Sequence, residues 1–179
     1  MHLLKEQPPG TESALLAAVR QGSTEALGKL YSLHGGDVFS LAFRLTGSRE
    51  DAEDVLQDVF VGLPRALRSY DEQGRFGAWL GRVAARVALM RLRSRGALRE
   101  DAIEAAGDPV ARREADPVDR IAAQRALQKL PDGLRAVFVL KEIEGYSHAE
   151  IGALLGITAE NSAVRLSRAW KLLHNEASA

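Results

Sequence analysis

The stretch that decides the reading of this chain runs Tyr146-Ser-His-Ala-Glu-Ile-Gly-Ala-Leu-Leu-Gly-Ile-Thr-Ala-Glu-Asn-Ser-Ala-Val-Arg-Leu-Ser-Arg-Ala-Trp170. Ser147 can cap a short helix, and Glu150 stands three residues on, where it completes a capping box. Ile151, Leu154 and Leu155 supply one apolar face at helical spacing. Gly156 ends that helix by accepting positive φ. Thr158 caps a second helix whose exposed side is expected to carry Arg165 and Arg168. Two short helices joined by a tight glycine turn, the second polar and basic, form a unit that the major groove accepts. An ordinary helical hairpin with solvated arginines is the plainer reading; the coincidence of turn, caps and basic face favours DNA.

Upstream, Leu130-Pro-Asp132 opens a helix predicted to run to about Glu144-Gly145. Asp116-Pro117 opens another, with proline suited to the first turn. Between about 97 and 116 the chain holds Gly107, Pro109 and many charges with little periodicity. That segment reads as a flexible acidic linker.

The first half is also helical in pattern. Residues from Thr11 to Arg20 form a short helix stopped at Gln21-Gly22. Ser23 caps a longer one with Leu27, Leu30, Tyr31, Val38, Leu41 and Leu45 as candidate core. Gly35-Gly36 predicts a kink or break in it, since each glycine costs about 1 kcal/mol relative to alanine. Gly47 closes it, and Ser48 with Asp51 opens the next. There Ala52, Val55, Leu56, Val59, Phe60, Leu63 and Leu67 fit a helical period, with a bend expected at Pro64. A polar turn at 69–74 leads to a helix from Phe76 to about Arg95, ended by Gly96. The fold class is therefore all-α: two small helical domains, 11–96 and 117–176, joined by the linker 97–116, with the helix-turn-helix in the second.

Charge is unevenly spread under a formal net charge of +0. Five acids and no base stand between Glu50 and Asp58; six arginines and no acid stand between Arg82 and Arg99. A neutral total argues against non-specific coating of nucleic acid, while separate faces of opposite sign suit distinct partners. Asp51, Asp54, Gln57 and Asp58, at i, i+3, i+6 and i+7, suit a docking strip for a basic partner; a solvated face stabilised by the helix dipole is the alternative. Trp79, Arg82, Arg86 and Arg93 share one side of their helix, where an aromatic and guanidinium groups could take single-stranded DNA. Taken alone, Trp79 is more often core.

The chain contains no cysteine, which excludes disulfides, thiolate zinc sites and a cysteine nucleophile. Its four histidines (2, 34, 148, 174) lack metal-ligand spacing. No phosphate loop follows Gly35-Gly36. No cofactor, no metal and no catalytic residue are expected. Residues 1–10 lack the apolar run of a signal peptide, and no stretch approaches the roughly 18 apolar residues that cross a bilayer. The expectation is a cytoplasmic chain without membrane insertion.

The order of these parts resembles a sigma factor of bacterial RNA polymerase, of the extracytoplasmic-function (ECF) group, over nearly the whole chain. Ala26-Leu-Gly-Lys-Leu-Tyr31 through Leu41-Ala-Phe-Arg-Leu-Thr-Gly47 looks like that family's opening helices. The run Asp51-Ala-Glu-Asp-Val-Leu-Gln-Asp-Val-Phe60 is similar to its polymerase-docking helix, and Phe76-Gly-Ala-Trp-Leu-Gly-Arg-Val-Ala84 to its promoter-melting segment. Residues 130–140 and 144–156 look like its C-terminal DNA-reading domain.

The resemblance implies that the first domain grips core RNA polymerase and opens promoter DNA at the −10 element. The second would read the −35 element through Glu160, Asn161, Ser162, Arg165 and Arg168. An anti-sigma factor is a candidate further partner. Three positions depart from the family pattern: Pro64, near which an aromatic is common; Arg86, where asparagine is common; and Met90, where a short polar or acidic residue is common. Two other classes stay open: a helix-turn-helix regulator acting without sigma activity, and a polymerase-docking module that does not melt DNA.

Overall fold

The computed structural model describes residues 9–71, 75–96, 98 and 119–177, and among them the secondary structure is helix and turn with no strand. The described parts of 2–43 and 48–88 form one compact unit; those of 44–47 and 89–179 form a second. The linker expected at 97–116 and the helix start expected at Asp116-Pro117 lie outside the described residues, apart from Leu98.

Helix α1 spans Pro9–Arg20 and stops at Gly22, whose φ of +92° only glycine adopts readily. The Ser23 hydroxyl accepts the Ala26 N–H at 3.2 Å and starts α2, Thr24–Thr46. Contrary to expectation, α2 runs unbroken through Gly35-Gly36. Neither glycine has positive φ, and the Tyr31 ring covers Gly35, whose added Cβ would lie 3.6 Å from it. The propensity penalty of two glycines is small beside the packing of a 23-residue helix. Tyr31 itself is not core: it is 47% exposed, with its ring set edge-on to Phe60 at 5.0 Å. Leu27 is only partly buried.

Gly47, at φ +69°, ends α2, and Ser48 accepts the Asp51 N–H to cap α3, Arg49–Ala66. Its apolar stripe of Ala52, Val55, Val59, Phe60 and Leu63 is buried, as the period predicts. Helical pairing continues two residues past Pro64, then tightens into a 3₁₀ turn at Leu67–Ser69. Within the first unit α1 lies against α3 and this turn. Leu16 and Val19 of α1 are buried, as are Leu30 and Val38 of α2 and Phe76 and Leu80 of α4, Phe76–Ser94.

The second unit carries α5, Asp119–Lys129, and α6, Asp132–Phe138, which widens into a π-helical turn at Val139–Ile143. Then come α7, His148–Leu155, and α8, Ala159–Ala177. Leu127, Leu130, Leu134, Phe138 and Ala169 form its core, with Leu166, Trp170 and Leu173 packed on them. Each buried leucine contributes about 1.5–3 kcal/mol of burial. Helix α8 packs on α5, α6 and α7, so its inner face is committed to the fold and its outer face alone is open to a ligand.

Candidate nucleic-acid and polymerase interfaces

The capping box of the helix-turn-helix forms as its sequence predicts. Ser147 Oγ accepts the Glu150 N–H at 3.2 Å, and the Glu150 carboxylate accepts the Ser147 N–H at 2.8 Å. Gly156 sits in the left-handed region, φ +72° and ψ +35°, and returns the chain toward α8. Thr158 Oγ1 accepts the Asn161 N–H at 3.1 Å and caps that helix. One determinant escaped the periodicity argument. Gly152, buried on α7, faces the turn so closely that a Cβ there would meet the Ile157 carbonyl oxygen at 2.7 Å.

The outer face of α8 differs from the expected one. Glu160 is exposed, and its own backbone amide and the Thr158 hydroxyl hold its carboxyl below the usual carboxylate range. Asn161 is half-buried, and its Oδ1 accepts the Arg165 Nε–H at 2.9 Å. Arg165 is 9% exposed, and its guanidinium covers Gly133 at the start of α6. Ser162 is fully buried, with Oγ 2.9 Å from His148 Nδ1. The sequence places Ser162 and Arg165 at the DNA; both face inward, because i+4 and i+7 from the Thr158 cap fall on the side of α8 that meets α6 and α7. Arg168 is half-buried, and its Nη2 is buried without a hydrogen-bond partner, so that nitrogen is not presented to a ligand. Ala163 and Lys171, which the sequence reading passed over, are exposed.

On α3 the acidic strip divides. Asp51 is 2% exposed, because the capping geometry of the first turn directs it into the unit, where the N-terminal dipole favours a carboxylate. It leaves the docking strip. Gln57 and Asp58 are exposed, with Asp54 half-buried beside them. Exposed Glu53, which pairs with Arg49 at 2.8 Å, joins them. Beside the strip an open groove of about 580 Å³ runs between α2 and α3, lined by Leu27, Tyr31, Leu56, Gln57, Phe60 and Val61, among others. Val61 is 74% exposed at its rim, an apolar residue that water does not favour.

On α4, Arg82, Arg86 and Arg93 are exposed on one side, with Met90 among them at 60% exposure, but Arg93 belongs to the second unit, where its Nη2 donates to the Leu154 carbonyl of α7 at 2.8 Å. Trp79 is half-buried at the head of this strip, 4.9 Å from the Tyr70 ring and 5.8 Å from the Phe76 ring.

Residues 30–98 match the Sigma-70 region 2 family and residues 120–173 the Sigma-70 region 4 family. The ECF RNA polymerase sigma factor SigE of Mycolicibacterium smegmatis is 33% identical over 177 residues, covering 95% of this chain and 68% of the relative. The RNA polymerase sigma factor CarQ of Myxococcus xanthus is 33% identical over 159 residues, covering 86% and 90%. The chain belongs to the ECF sigma factors.

As a sigma factor it serves promoter-specific initiation of transcription by RNA polymerase. The sigma factor CnrH of Cupriavidus metallidurans is 32% identical over 176 residues, covering 90% of this chain and 92% of its own. A solved structure of CnrH with the cytosolic domain of CnrY matches with a TM-score of 0.54 at 28% identity, covering 93% of this sigma factor and 97% of that chain. The region 2 match spans the acidic strip, the groove's α3 wall and the arginine strip; the region 4 match spans the helix-turn-helix. Among the described residues of this sigma factor, no helix is long and apolar enough to cross a membrane.

Proposed function

We propose that this sigma factor works in the cytoplasm through three faces, by binding and without turnover. Its first domain, 11–96, docks core RNA polymerase through Asp54, Gln57 and Asp58, with the apolar groove beside them taking part of the same partner. An acidic strip beside exposed apolar residues suits a basic, partly apolar surface of the large polymerase subunits. The α4 strip receives the unpaired −10 strand: Arg82, Arg86 and Arg93 neutralise phosphates, and Trp79 stacks. The second domain, 117–176, lays α8 in the major groove at −35. Glu160 and Asn161 stand at the entering end, Ala163 and Lys171 lie along the outer face, and half-buried Arg168 flanks them. An anti-sigma factor covering these faces is the natural inhibitor, in keeping with the partner-bound state of CnrH.

The observation that carries this reading is the coexistence, in one chain, of a capped helix-turn-helix and an aromatic-headed arginine strip whose Trp79, Arg82 and Arg86 lie in the other unit. A protein that only read duplex DNA would need the first alone. In vitro transcription with core polymerase tests it. Promoter-specific transcripts with −10 opening support the reading. Duplex binding without transcription indicates a regulator, and polymerase binding without opening indicates a docking module.

A further inference from the structure

The head of α4 carries a ring cluster with an unusual support. Phe76, the first residue of α4, is 2% exposed, and Tyr70 just upstream is 8% exposed. The Tyr70 ring lies 4.9 Å from Trp79 and 5.7 Å from Phe76. Behind Phe76 the cluster ends on a buried imidazole: the His34 ring stands 5.1 Å from it, crossed at 74°. His34 belongs to α2 and is 4% exposed. Its Nε2 lies 2.8 Å from Glu12 Oε1 on α1. Two turns further along α1, Arg20 reaches the other side of the cluster. Its guanidinium donates to the Tyr70 carbonyl at 3.1 Å and to the Leu67 carbonyl at 3.4 Å.

Adhesion of α1 does not require this wiring, since Leu16 and Val19 already bury it in the unit. A buried polar pair is costly to desolvate, and an apolar residue at 34 would fasten the helices at least as well. What polar contacts add is direction. An edge-on imidazole fixes the plane of the Phe76 ring, and a guanidinium on the Tyr70 carbonyl fixes the backbone from which that ring departs.

We propose that α1 is a brace for the strand-stacking platform, with Glu12, His34 and Arg20 as positioning residues that set the Tyr70, Phe76 and Trp79 rings at the head of the arginine strip. This rests on the −10 reading above.

The test uses the full chain with core polymerase in a Trp170→Phe background, which leaves Trp79 as the sole indole of the two tryptophans. Glu12→Leu and Arg20→Met each cut one attachment, and Glu12→Gln keeps a hydrogen-bonding group at the first. Both cuts should leave core affinity and closed-complex affinity as in the parent. They should slow open-complex formation about tenfold, the scale of a misplaced base stack, and shift Trp79 emission. Glu12→Gln should restore most of both. Unchanged opening and emission in both cut variants would overturn the brace, and so would a parallel loss of core binding and thermal stability, which marks plain fastening. Arg82→Ala serves as the control for the −10 reading. If it slows opening while the α1 variants do not, the brace alone fails; if it has no effect either, the −10 reading fails and the brace with it.

Discussion

Ser162 Oγ lies 2.9 Å from His148 Nδ1, which ties the buried face of α8 to the first residue of α7. The two helices of the DNA-reading motif are thus joined by a polar link as well as by their apolar faces. Burial, and next the charge of Lys141, push the His148 imidazole below its ordinary value of 6.5, while Glu142 opposes them. The folded state therefore binds the His148 proton less readily than the unfolded chain does. Its contribution to stability is full above the ordinary value and is lost as pH falls through it toward the lower folded value. Denaturation at pH 7.5 and pH 5.5 should show a loss on acidification that is smaller in His148→Gln. Equal losses would remove His148 from the account.

Gly152 allows α7 and the turn to meet. An alanine there must displace the Ile157 carbonyl, since its Cβ would begin 2.7 Å from that oxygen. Gly152→Ala should cost about 1–3 kcal/mol, the range for overpacking a tight contact. Promoter binding at −35 should fall with it, because the angle between α7 and α8 changes. Thermal melting checks the first effect and footprinting the second; a melting point like the parent's would contradict the contact.

The inward turn of Arg165 separates two kinds of variant on α8. Arg165→Ala should lower thermal stability, by removing its bond to Asn161 and its cover over Gly133. Glu160→Ala and Lys171→Ala should leave stability within about 0.5 kcal/mol, as surface changes do. Glu160→Ala should alter base preference at −35, where one good base contact is worth about 1–3 kcal/mol. Lys171→Ala should weaken binding evenly across sequences and lower its salt dependence. A selection from randomised −35 sequences that returns one motif for parent and Glu160→Ala removes Glu160 from base readout.

On α3, Asp54→Lys with Asp58→Lys should weaken core binding in a pull-down at moderate salt while the fold persists. Asp51→Ala should do the reverse, lowering stability with little direct effect on docking, since Asp51 is 2% exposed. Core affinity that survives the double reversal would move the docking surface off this strip.

Local rules made most of the fold legible. Ser23, Ser48, Ser147 and Thr158 cap the helices that their positions predict, and Gly22, Gly47, Gly96 and Gly156 take positive φ where helices stop. Each of these depends on a few neighbouring residues. Gly35-Gly36 misled because helix continuity there depends on packing, not on propensity. Asp51, Ser162 and Arg165 misled for one common reason. Periodicity places a residue on a helix side, but which side faces inward is set by neighbours distant in sequence. The π-helical turn at Val139–Ile143 left no signal, as one inserted residue does not disturb an apolar run. The α1 contacts to His34 and Tyr70 span 22 and 50 residues, beyond any local pattern.

Arg86 is the residue of the −10 face most at odds with the family resemblance. It is exposed on α4 between Arg82 and Met90, on the side that Trp79 heads. A guanidinium there can hold a phosphate or stack on a base, whereas a pocket shaped around a small amide would select one flipped base. The parent should therefore open promoters with tolerant base preference and strong salt dependence in the opening step. Arg86→Asn should weaken salt dependence by about one phosphate contact and sharpen the preference at −10. Opening rates on a promoter library randomised at −10, measured at two salt concentrations, read both effects. If Arg86→Asn leaves the rate, the preference and the salt slope as in the parent, Arg86 is a solvated charge and the strand passes elsewhere.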